Sequence, residues 1–417
     1  IKPGVLGTNP YEYMMSSFKE VNFNTLNTSL ALNQDLSVIT KGLSLKALVN
    51  FKNWSETSYT RSIKSNIYKV KDGSYNPETG EYDYQLLQTG DQFLSQSGIS
   101  RNSDQTFYFD ARLDWKRSFG DHNLTAMAMY MMREYRSDVL PNRNQGYSGR
   151  VTYDYASKYL VEFNFGYNGS ERLAAGHRFE FFPAVSAGWV ASSEKFWEPI
   201  SKYINHFKIR GSYGLVGSDA FASGAPHFLY QNNIGIGSAH NFWTGLPTSE
   251  ISKKGPGFYV LAVQDAGWEH VKKFDIGFDM MLFNQLNITF DYFHDKRERI
   301  LMSRASWPSM LGYWGSKPWS NIGEVENQGF ELSLNWTKQF GKDLTLDLRG
   351  NFTYNQNEYK YVDEPSYPYV WQTNTGKPLN TVKGYIAEGL FTSEEEIANS
   401  PDQSQLGANI MPGDIKY

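Results

Sequence analysis

The fold is decided by the stretch 148–217, which contains the blocks Gly-Arg-Val-Thr-Tyr-Asp-Tyr (149–155) and Phe-Phe-Pro-Ala-Val-Ser-Ala-Gly-Trp (181–189). In the first block Val151 and Tyr153 fall on one face of an extended chain, whereas Arg150 and Asp154 fall on the other. A period of two is typical of a strand with one apolar and one polar face. The pattern predicts four strands in a row, at 149–155, 159–167, 181–190 and 207–215.

The same alternation recurs on both sides of this stretch. It predicts further hairpins from the strands 25–33 and 43–51, 107–115 and 124–132, 274–282 and 286–292, and 330–336 and 344–354. Together these make about twelve antiparallel strands, and apolar-out, polar-in alternation over many strands is typical of a transmembrane β-barrel. We therefore predict an all-β fold in which Phe278 faces lipid while Asp275 and Asp291 face the lumen.

Short and long connections alternate along the chain. Long loops are predicted near 53–104, 218–270, 300–324 and 357–417. Outer-membrane barrels have short periplasmic turns and long extracellular loops. Because an even number of strands separates each long loop from the next, we expect all four on the extracellular side. Pro183 falls within a strand pattern and is expected to mark a bulge, since a closed barrel offers it no free edge.

Composition agrees with a membrane barrel and excludes other classes. Aromatic residues make up 16% of the 417 residues, with 28 Tyr and 27 Phe, as expected where rings line a bilayer interface. No run of about 18 apolar residues occurs, which excludes a transmembrane helix. The net charge of −4 gives no argument for nucleic acid, and the absence of Cys excludes disulfides. A soluble β-sandwich also alternates, but it does not predict charged faces beside continuous Phe, Leu and Trp faces in strand after strand.

Several motifs recur in a fixed order along the chain. The most specific is Asn-Ile-Gly-Glu-Val-Glu-Asn-Gln-Gly-Phe-Glu at 321–331. The others include Asn9-Pro10, Thr40-Lys41-Gly42-Leu43-Ser44, Gly149-Arg150-Val151-Thr152-Tyr153, Phe182-Pro183-Ala184-Val185-Ser186-Ala187-Gly188-Trp189, Leu215-Val216-Gly217 and Glu388-Gly389-Leu390-Phe391. Read together, they resemble the SusC-like family of TonB-dependent outer-membrane transporters from Bacteroidetes. The chain departs from that family at Glu171 and Ala184, where Ser is usual.

The resemblance implies the middle part of a barrel of about 22 strands, with the plug domain and the TonB box outside these residues. It also implies active import of oligosaccharides or peptides, with a SusD-like surface lipoprotein as lid. Energy would come from the TonB–ExbB–ExbD complex through the missing N-terminal part. The surroundings would be the outer-membrane bilayer, and a dimer of SusC–SusD pairs is a further expectation. Two alternatives stay open: an importer of siderophores, haem or cobalamin, and a non-transporting barrel that serves as scaffold in a secretion or surface-assembly complex.

The residues predict no enzyme, no metal site and no cofactor, because the seven His are scattered and Gly235-Ile236-Gly237 lacks the third Gly of a nucleotide motif. The functional candidates are loop aromatics, since such rings stack on sugars and anchor protein interfaces. We predict contact with substrate or partner for Phe242, Trp243, Trp307, Tyr313, Trp314, Trp319, Tyr367, Tyr369 and Trp371. Packing at the rim, contacts between loops or a membrane girdle would also explain these residues.

Charged residues on the lumenal face are expected to neutralise one another rather than to bind ligand. The pairs would form across the lumen between Arg112, Arg210 and Arg349 on one side and Asp110, Asp347 and Glu331 on the other.

Overall fold

A computed structural model describes residues 10–221, 224–244, 251–311, 317–407 and 409–417. They contain two short α-helices, α1 (Pro10–Met15) and α2 (Glu394–Asn399), and 3₁₀ turns at Ala191–Ser193, Lys195–Trp197, Ser309–Leu311 and Val370–Gln372. No described helix is long and apolar enough to cross a bilayer. The strands are β1 (Ser17–Asp35), β2 (Leu43–Ser62), β3 (Ile67–Val70), β4 (Tyr84–Gln88), β5 (Ser95–Gln96), β6 (Ser100–Phe119), β7 (His122–Arg136), β8 (Asn142–Tyr155), β9 (Tyr159–Ser170), β10 (Phe179–Val190), β11 (Ile204–Ser218), β12 (Asn233–Thr244), β13 (Ile251–Val260), β14 (Glu269–Leu282), β15 (Leu286–Ser303), β16 (Trp319–Phe340), β17 (Leu344–Tyr361), β18 (Gly389–Leu390) and β19 (Ile415–Lys416).

Twelve long strands form one antiparallel sheet in which each pairs with the next long strand along the chain. Their order is β1-β2-β6-β7-β8-β9-β10-β11-β14-β15-β16-β17, and β5 adds a short pairing to β2. The predicted all-β, antiparallel architecture of about twelve strands is thereby confirmed. The strands β1 and β17 form the two edges of the sheet, and the pairs β3–β4, β12–β13 and β18–β19 are separate small hairpins.

The strands are longer than the apolar alternation predicts. β1 covers Ser17–Asp35 rather than 25–33, and β2 covers Leu43–Ser62 rather than 43–51. β16 reaches 22 residues, whereas about 9–11 suffice to cross a bilayer. The apolar pattern is required only at the depth of the hydrocarbon. Beyond that depth the hydrogen-bonded ladder continues with polar side chains on both faces, which a search for apolar alternation does not detect.

The connections between the long strands alternate between two rims of the sheet. The short-turn rim carries 36–42, 120–121, 156–158, 191–203, 283–285 and 341–343, and the long-loop rim carries 63–99, 137–141, 171–178, 219–268, 304–318 and 362–417. All four predicted long loops emerge from the long-loop rim. Their bounds are narrower than 53–104, 218–270, 300–324 and 357–417, because paired strands extend into each of these ranges.

The bulge expected at Pro183 is wrong. The register between β9 and β10 runs unbroken through the pair Pro183–Phe165. On the other side of β10, pairing with β11 ends at the pair Ala184–Gly214. Because proline has no N–H to donate, it is tolerated at the place where one of its two ladders ends.

One face of the sheet carries a row of aromatic rings across five neighbouring strands, and we refer to it as the apolar face. The rings of Phe207, Phe278, Phe290, Phe330 and Phe352 follow one another with centroids 5.6–6.1 Å apart. Such rows of cross-strand pairs stabilise a sheet and expose a continuous apolar surface. Phe278 therefore lies on the face predicted for lipid contact.

Towards the long-loop rim the same face becomes charged. Lys272 Nζ lies 2.6 Å from Glu298 Oε2, and Lys296 Nζ lies 2.7 Å from Glu298 Oε1. On the next two strands Lys360 Nζ lies 3.0 Å from Glu326 Oε2. A charge facing hydrocarbon destabilises a barrel by several kcal/mol at the midplane and by little near the interface. The change from rings to ion pairs thus marks the depth at which the strands leave an apolar environment.

Replacing Phe278 by Arg should lower the free energy of unfolding by about 2–4 kcal/mol, because Phe278 is central among the apolar residues of β14 and would place a charge near the bilayer midplane. Thr353→Arg is the matched control, because Thr353 pairs with Glu331 on the face opposite to the apolar face, and it should cost less than about 1 kcal/mol. The measurement is urea-dependent folding of the full protein in lipid vesicles. Equal costs for the two variants would mean that the faces are assigned wrongly.

Candidate functional site

The opposite, charged face is organised around Arg210 on β11. The Nε atom of Arg210 lies 3.2 Å from Asp279 Oδ2, and its Nη1 atom lies 3.6 Å from Asp275 Oδ1 and 2.7 Å from Asp291 Oδ1. Thr289 Oγ1 donates a further hydrogen bond to Asp279 at 3.2 Å. One guanidinium thus binds three carboxylates from two neighbouring strands. Ion pairs and hydrogen bonds to a guanidinium lower the cost of holding carboxylates on a partly buried wall.

A glycine makes the contact between Arg210 and Asp291 possible. Gly277 stands between these two residues in the register of β11, β14 and β15. A Cβ atom at Gly277 would lie 2.0 Å from Asp291 Oδ1 and 2.4 Å from the carbonyl oxygen of Phe290. The Asp291 carboxylate therefore occupies the space that any other side chain at this position would need.

The pairing expected across the lumen is wrong in its partners. Arg112 pairs with Asp114 at 3.0 Å, and Lys46 joins the same carboxylate at 3.3 Å. Asp347 accepts a hydrogen bond from Thr337 Oγ1 at 2.6 Å instead of binding an arginine. Residues on the same or adjacent strands are closer than residues across a lumen, so local pairing dominates.

A depression of about 410 Å³ lies on the charged face beside Arg210. Its lining includes the small residues Ser186 and Gly188 and the charged residues Glu162, Lys208 and Asp275. The same depression is also lined by the apolar residues Leu160 and Ala187, so its surface is mixed. No group of His, Asp and Glu side chains in the described ranges could hold a metal ion.

At the long-loop rim, two connections pack against the sheet through a cluster of buried apolar side chains. We call it the rim cluster, and its buried members are Leu173, Phe182, Leu229, Ala266, Trp268 and Leu301. Leu173 belongs to the connection 171–178, and Leu229, Ala266 and Trp268 belong to the loop 219–268. The Trp268 ring meets Phe182 edge-on at 5.5 Å, and its Nε1 donates to the carbonyl oxygen of Arg178 at 2.9 Å. Both connections are therefore packed parts of the rim.

A buried carboxylate links two further loops at the same rim. Asp363 accepts hydrogen bonds from the backbone N of Ser306 at 2.9 Å and from its Oγ at 2.8 Å, and Arg304 Nε lies 3.3 Å away. Burial acts to raise the pKa of Asp363, but the Ser306 hydrogen bonds and the Arg304 charge outweigh it, so the pKa is lowered. The loop 304–318 is thus tied to the segment that follows β17.

The predicted aromatic contact residues are placed in different surroundings. Trp319 packs against the rim cluster, and Trp307 is half-buried. Tyr369 and Trp371 come together as a stacked pair, with ring centroids 5.5 Å apart and an interplanar angle of 13°, and both are exposed. Tyr367 is exposed nearby in sequence.

The remaining four predicted residues lie in the loops 219–268 and 304–318. Phe242 and Trp243 belong to β12, where they pair with Lys253 and Ser252 of β13. Tyr313 and Trp314 lie outside the described residues. None of the nine residues is tested by these placements as a substrate or partner contact, and all nine stay predictions.

Two charged side chains form hydrogen bonds within the loop that carries Tyr369 and Trp371. Glu364 accepts hydrogen bonds from Asn374 N at 2.9 Å, Thr375 N at 3.1 Å and Thr375 Oγ1 at 2.9 Å. Lys377 Nζ donates to the carbonyl oxygen of Trp371 at 2.5 Å. The stacked rings are therefore presented on an ordered loop.

Sequence reasoning missed one aromatic surface, on the loop 63–99. Its hairpin β3–β4 is paired with no other described strand, and it projects exposed side chains. Tyr75 and Tyr82 lie with ring centroids 5.0 Å apart, and Phe93 is 81% exposed. In the sequence this surface is visible only as a polar stretch with scattered Tyr residues.

An antiparallel meander of long strands, with an apolar outer face, a charged inner face and long loops at one rim, defines the wall of a transmembrane β-barrel of the outer-membrane type. The family model described as TonB dependent receptor-like, beta-barrel matches residues 2–396. The chain therefore belongs to this family, whose members are outer-membrane proteins and not enzymes, and the resemblance noted from the motifs is confirmed.

Relatives and solved structures agree with this assignment. The chain is 28% identical over 284 residues to the TonB-dependent receptor P39 of Formosa agariphila, covering 67% of this chain and 26% of that protein. It is 24% identical over 324 residues to the TonB-dependent receptor SusC of Bacteroides thetaiotaomicron, covering 74% of this chain and 28% of SusC. A structure of the RagAB peptide transporter superimposes with a TM-score of 0.63 at 18% identity, covering 83% of this chain and 38% of that chain. The chain thus spans about a quarter of the length of the relatives it matches.

Gly277→Ala should destabilise the barrel by about 1–3 kcal/mol, because the added methyl group displaces Asp291 from Arg210 and overpacks the wall. Gly350→Ala on β17 is the matched control: a Cβ there meets nothing within 4 Å, so the change should be within about 0.5 kcal/mol. Unfolding in urea measures both. A neutral Gly277→Ala variant would show that the three-carboxylate contact does not depend on this glycine.

Proposed function

We propose that the complete protein imports nutrients actively across the outer membrane in a TonB-dependent manner, with oligosaccharides or peptides as the cargo. The main observation behind the proposal is that the two faces of the wall differ. The inner face is charged, and the four predicted long loops lie together at one rim. Membership of the TonB-dependent receptor family supports the same function. In this proposal the TonB–ExbB–ExbD complex supplies energy through parts of the protein outside these 417 residues.

The cargo classes follow from relatives and from the exposed rings. SusC and a peptide transporter, RagAB, are both similar to this chain. The stacked Tyr369–Trp371 pair offers flat apolar surfaces, which suit the C–H faces of sugar rings and also peptide side chains. We assign this pair as the first cargo or lid contact to test among the nine predicted aromatics.

We further propose that a SusD-like surface lipoprotein docks on the long-loop rim and uses the hairpin β3–β4 as one of its anchors. An isolated two-stranded hairpin is marginally stable in water. This hairpin nevertheless exposes Tyr75, Tyr82 and Tyr84, and Phe93 beside it is exposed as well. Aromatic side chains of this kind typically carry the binding energy of protein interfaces. Coverage by a lid protein would bury them, and a dimer of such pairs is compatible with the outward-facing position of the rim.

Transport is tested with the full-length protein in its own outer membrane. Cells take up a fluorescein-labelled tryptic peptide pool or a fluorescein-labelled oligosaccharide pool, with and without a protonophore. We expect uptake of one pool to be lost both in a deletion strain and when the protonophore removes the energy source. Uptake that resists the protonophore would indicate a passive pore. Unchanged uptake of both pools in the deletion strain would favour a scaffold.

Docking is tested by co-purification of the surface lipoprotein with the full-length barrel. The double variant Tyr75→Ser and Tyr82→Ser should reduce the recovered lipoprotein at least about tenfold, since each truncated aromatic anchor costs on the order of 1–2 kcal/mol. Phe196→Ser, on an equally exposed ring at the short-turn rim, should leave recovery unchanged. Full recovery with the double variant would remove the hairpin from the interface.

A further inference from the structure

A single side-chain amide joins the end of the loop 219–268 to the barrel wall. Asn321, near the start of β16, donates from Nδ2 to the carbonyl oxygen of Gly267 at 3.0 Å and to that of Arg299 at 2.8 Å. The backbone N of Gly267 in turn donates to Asn321 Oδ1 at 3.0 Å. The Asn321 amide therefore pairs with both polar groups of the Gly267 backbone, as a neighbouring strand would.

The need for this amide arises from an irregularity in the ladder. The register between β15 and β16 shifts between Arg297 and Ile300 and again between Ile300 and Leu301. Within this bulge Arg299 adopts a left-handed φ of 57°. A bulge leaves one residue out of the ladder, and a buried backbone oxygen without a partner costs about 1–3 kcal/mol. Asn321 binds the carbonyl oxygen of Arg299 and satisfies it.

The side chain of Arg299 also packs against Gly267. A Cβ atom at Gly267 would lie 2.5 Å from Arg299 Nη2, so the guanidinium rests where a side chain at position 267 would otherwise stand. The guanidinium also lies 3.2 Å from His270 Nε2 and 3.6 Å from Glu180 Oε1. It thereby joins β10, β14 and β15 at the point where the loop enters the sheet.

The residues on both sides of Gly267 belong to the rim cluster. Ala266 is 2% exposed and Trp268 is 5% exposed. Hydrogen bonds to Asn321 therefore hold Gly267, and apolar packing holds Ala266 and Trp268 on either side of it. At its other end the loop is fixed as well, because Asn144 Nδ2 donates to Asp219 Oδ2 at 2.7 Å and the Arg172 guanidinium lies 4.2 Å from the centroid of the Phe221 ring.

We propose that Asn321 is a positioning residue: it holds the base of the loop 219–268 in one orientation, so that this base forms a fixed wall of the barrel mouth instead of a moving gate. The bulge at Arg299 exposes the carbonyl oxygen that Asn321 binds, and the absence of a side chain at Gly267 lets the loop approach closely. The position of the Asn at the start of the motif 321–331 is explained by this contact.

The test is a nitroxide spin label on the full-length protein at position 265, introduced as Asp265→Cys in a chain that has no Cys of its own within these residues. Asp265 is exposed and lies two residues before Gly267. We expect an immobilised line shape in the parent and a several-fold shorter rotational correlation time in Asn321→Ala. Asn321→Asp should fall between them, because its carboxylate still accepts from the Gly267 N–H but cannot donate to the two carbonyl oxygens.

Asn335→Ala is the matched control, since Asn335 lies on the same strand and pairs with Asn287 and Arg349 far from the loop. It should leave the label immobilised. Unchanged label mobility in Asn321→Ala, or equal mobility in Asn321→Ala and Asn335→Ala, would overturn the proposal. If Asn321→Ala does not assemble, Asn321→Asp keeps a side chain of the same size, and a label as immobile as in the parent would then overturn the proposal.

A second readout connects the position of the loop with uptake, and only this readout depends on the proposed function. With the labelled pool that the parent imports, Asn321→Ala should raise the half-saturating concentration several-fold and change the maximal rate less than twofold. A residue needed only for overall stability would instead lower the amount of assembled barrel and the maximal rate. If the parent imports neither pool, the proposed function fails, while the spin-label result still decides the role of Asn321.

Discussion

Every backbone N–H and C=O group at bilayer depth must find a partner within the protein, because hydrocarbon supplies none. This requirement accounts for the antiparallel ladder that links twelve long strands in chain order. It also explains why irregular backbone is confined to the ends of the strands. The ladder between β10 and β11 ends beside Pro183, and the Asn321 amide binds the carbonyl oxygen of Arg299 in the bulge.

The two faces of this ladder follow from their surroundings. Aromatic rings cover one face as a continuous row, and the other face carries charged side chains such as Arg210, which forms ion pairs within the sheet. The packing around Arg210 requires a glycine at position 277, because the Asp291 carboxylate fills the space that a side chain there would occupy. Within the described residues, no group of His, Asp and Glu side chains on this wall could hold a metal ion.

The long-loop rim is a packed structure in its own right. The rim cluster joins the connection 171–178 to the loop 219–268, and Asp363 joins the loop 304–318 to the segment after β17. Against this ordered background the hairpin β3–β4 and the Tyr369–Trp371 pair stand out, because they expose rings that no described part of the chain covers. The Tyr369–Trp371 pair is carried by a loop that hydrogen bonds to Glu364 and from Lys377 hold in place.

The sequence by itself determined the class of fold, the number of long strands, the rim from which the long loops emerge and the face of Phe278. In a strand whose two faces have different surroundings, a period of two assigns each residue to one face. Two loops that are separated by an even number of strands lie at the same rim. The sequence did not determine strand ends or ion-pair partners, and it did not separate Trp319, which packs into the rim cluster, from Tyr369, which is exposed. Those features depend on register and on contacts between residues far apart in the chain. Only the tertiary structure brings Gly267, Arg299 and Asn321 together, because a bulge shifts the register and three separate segments meet there.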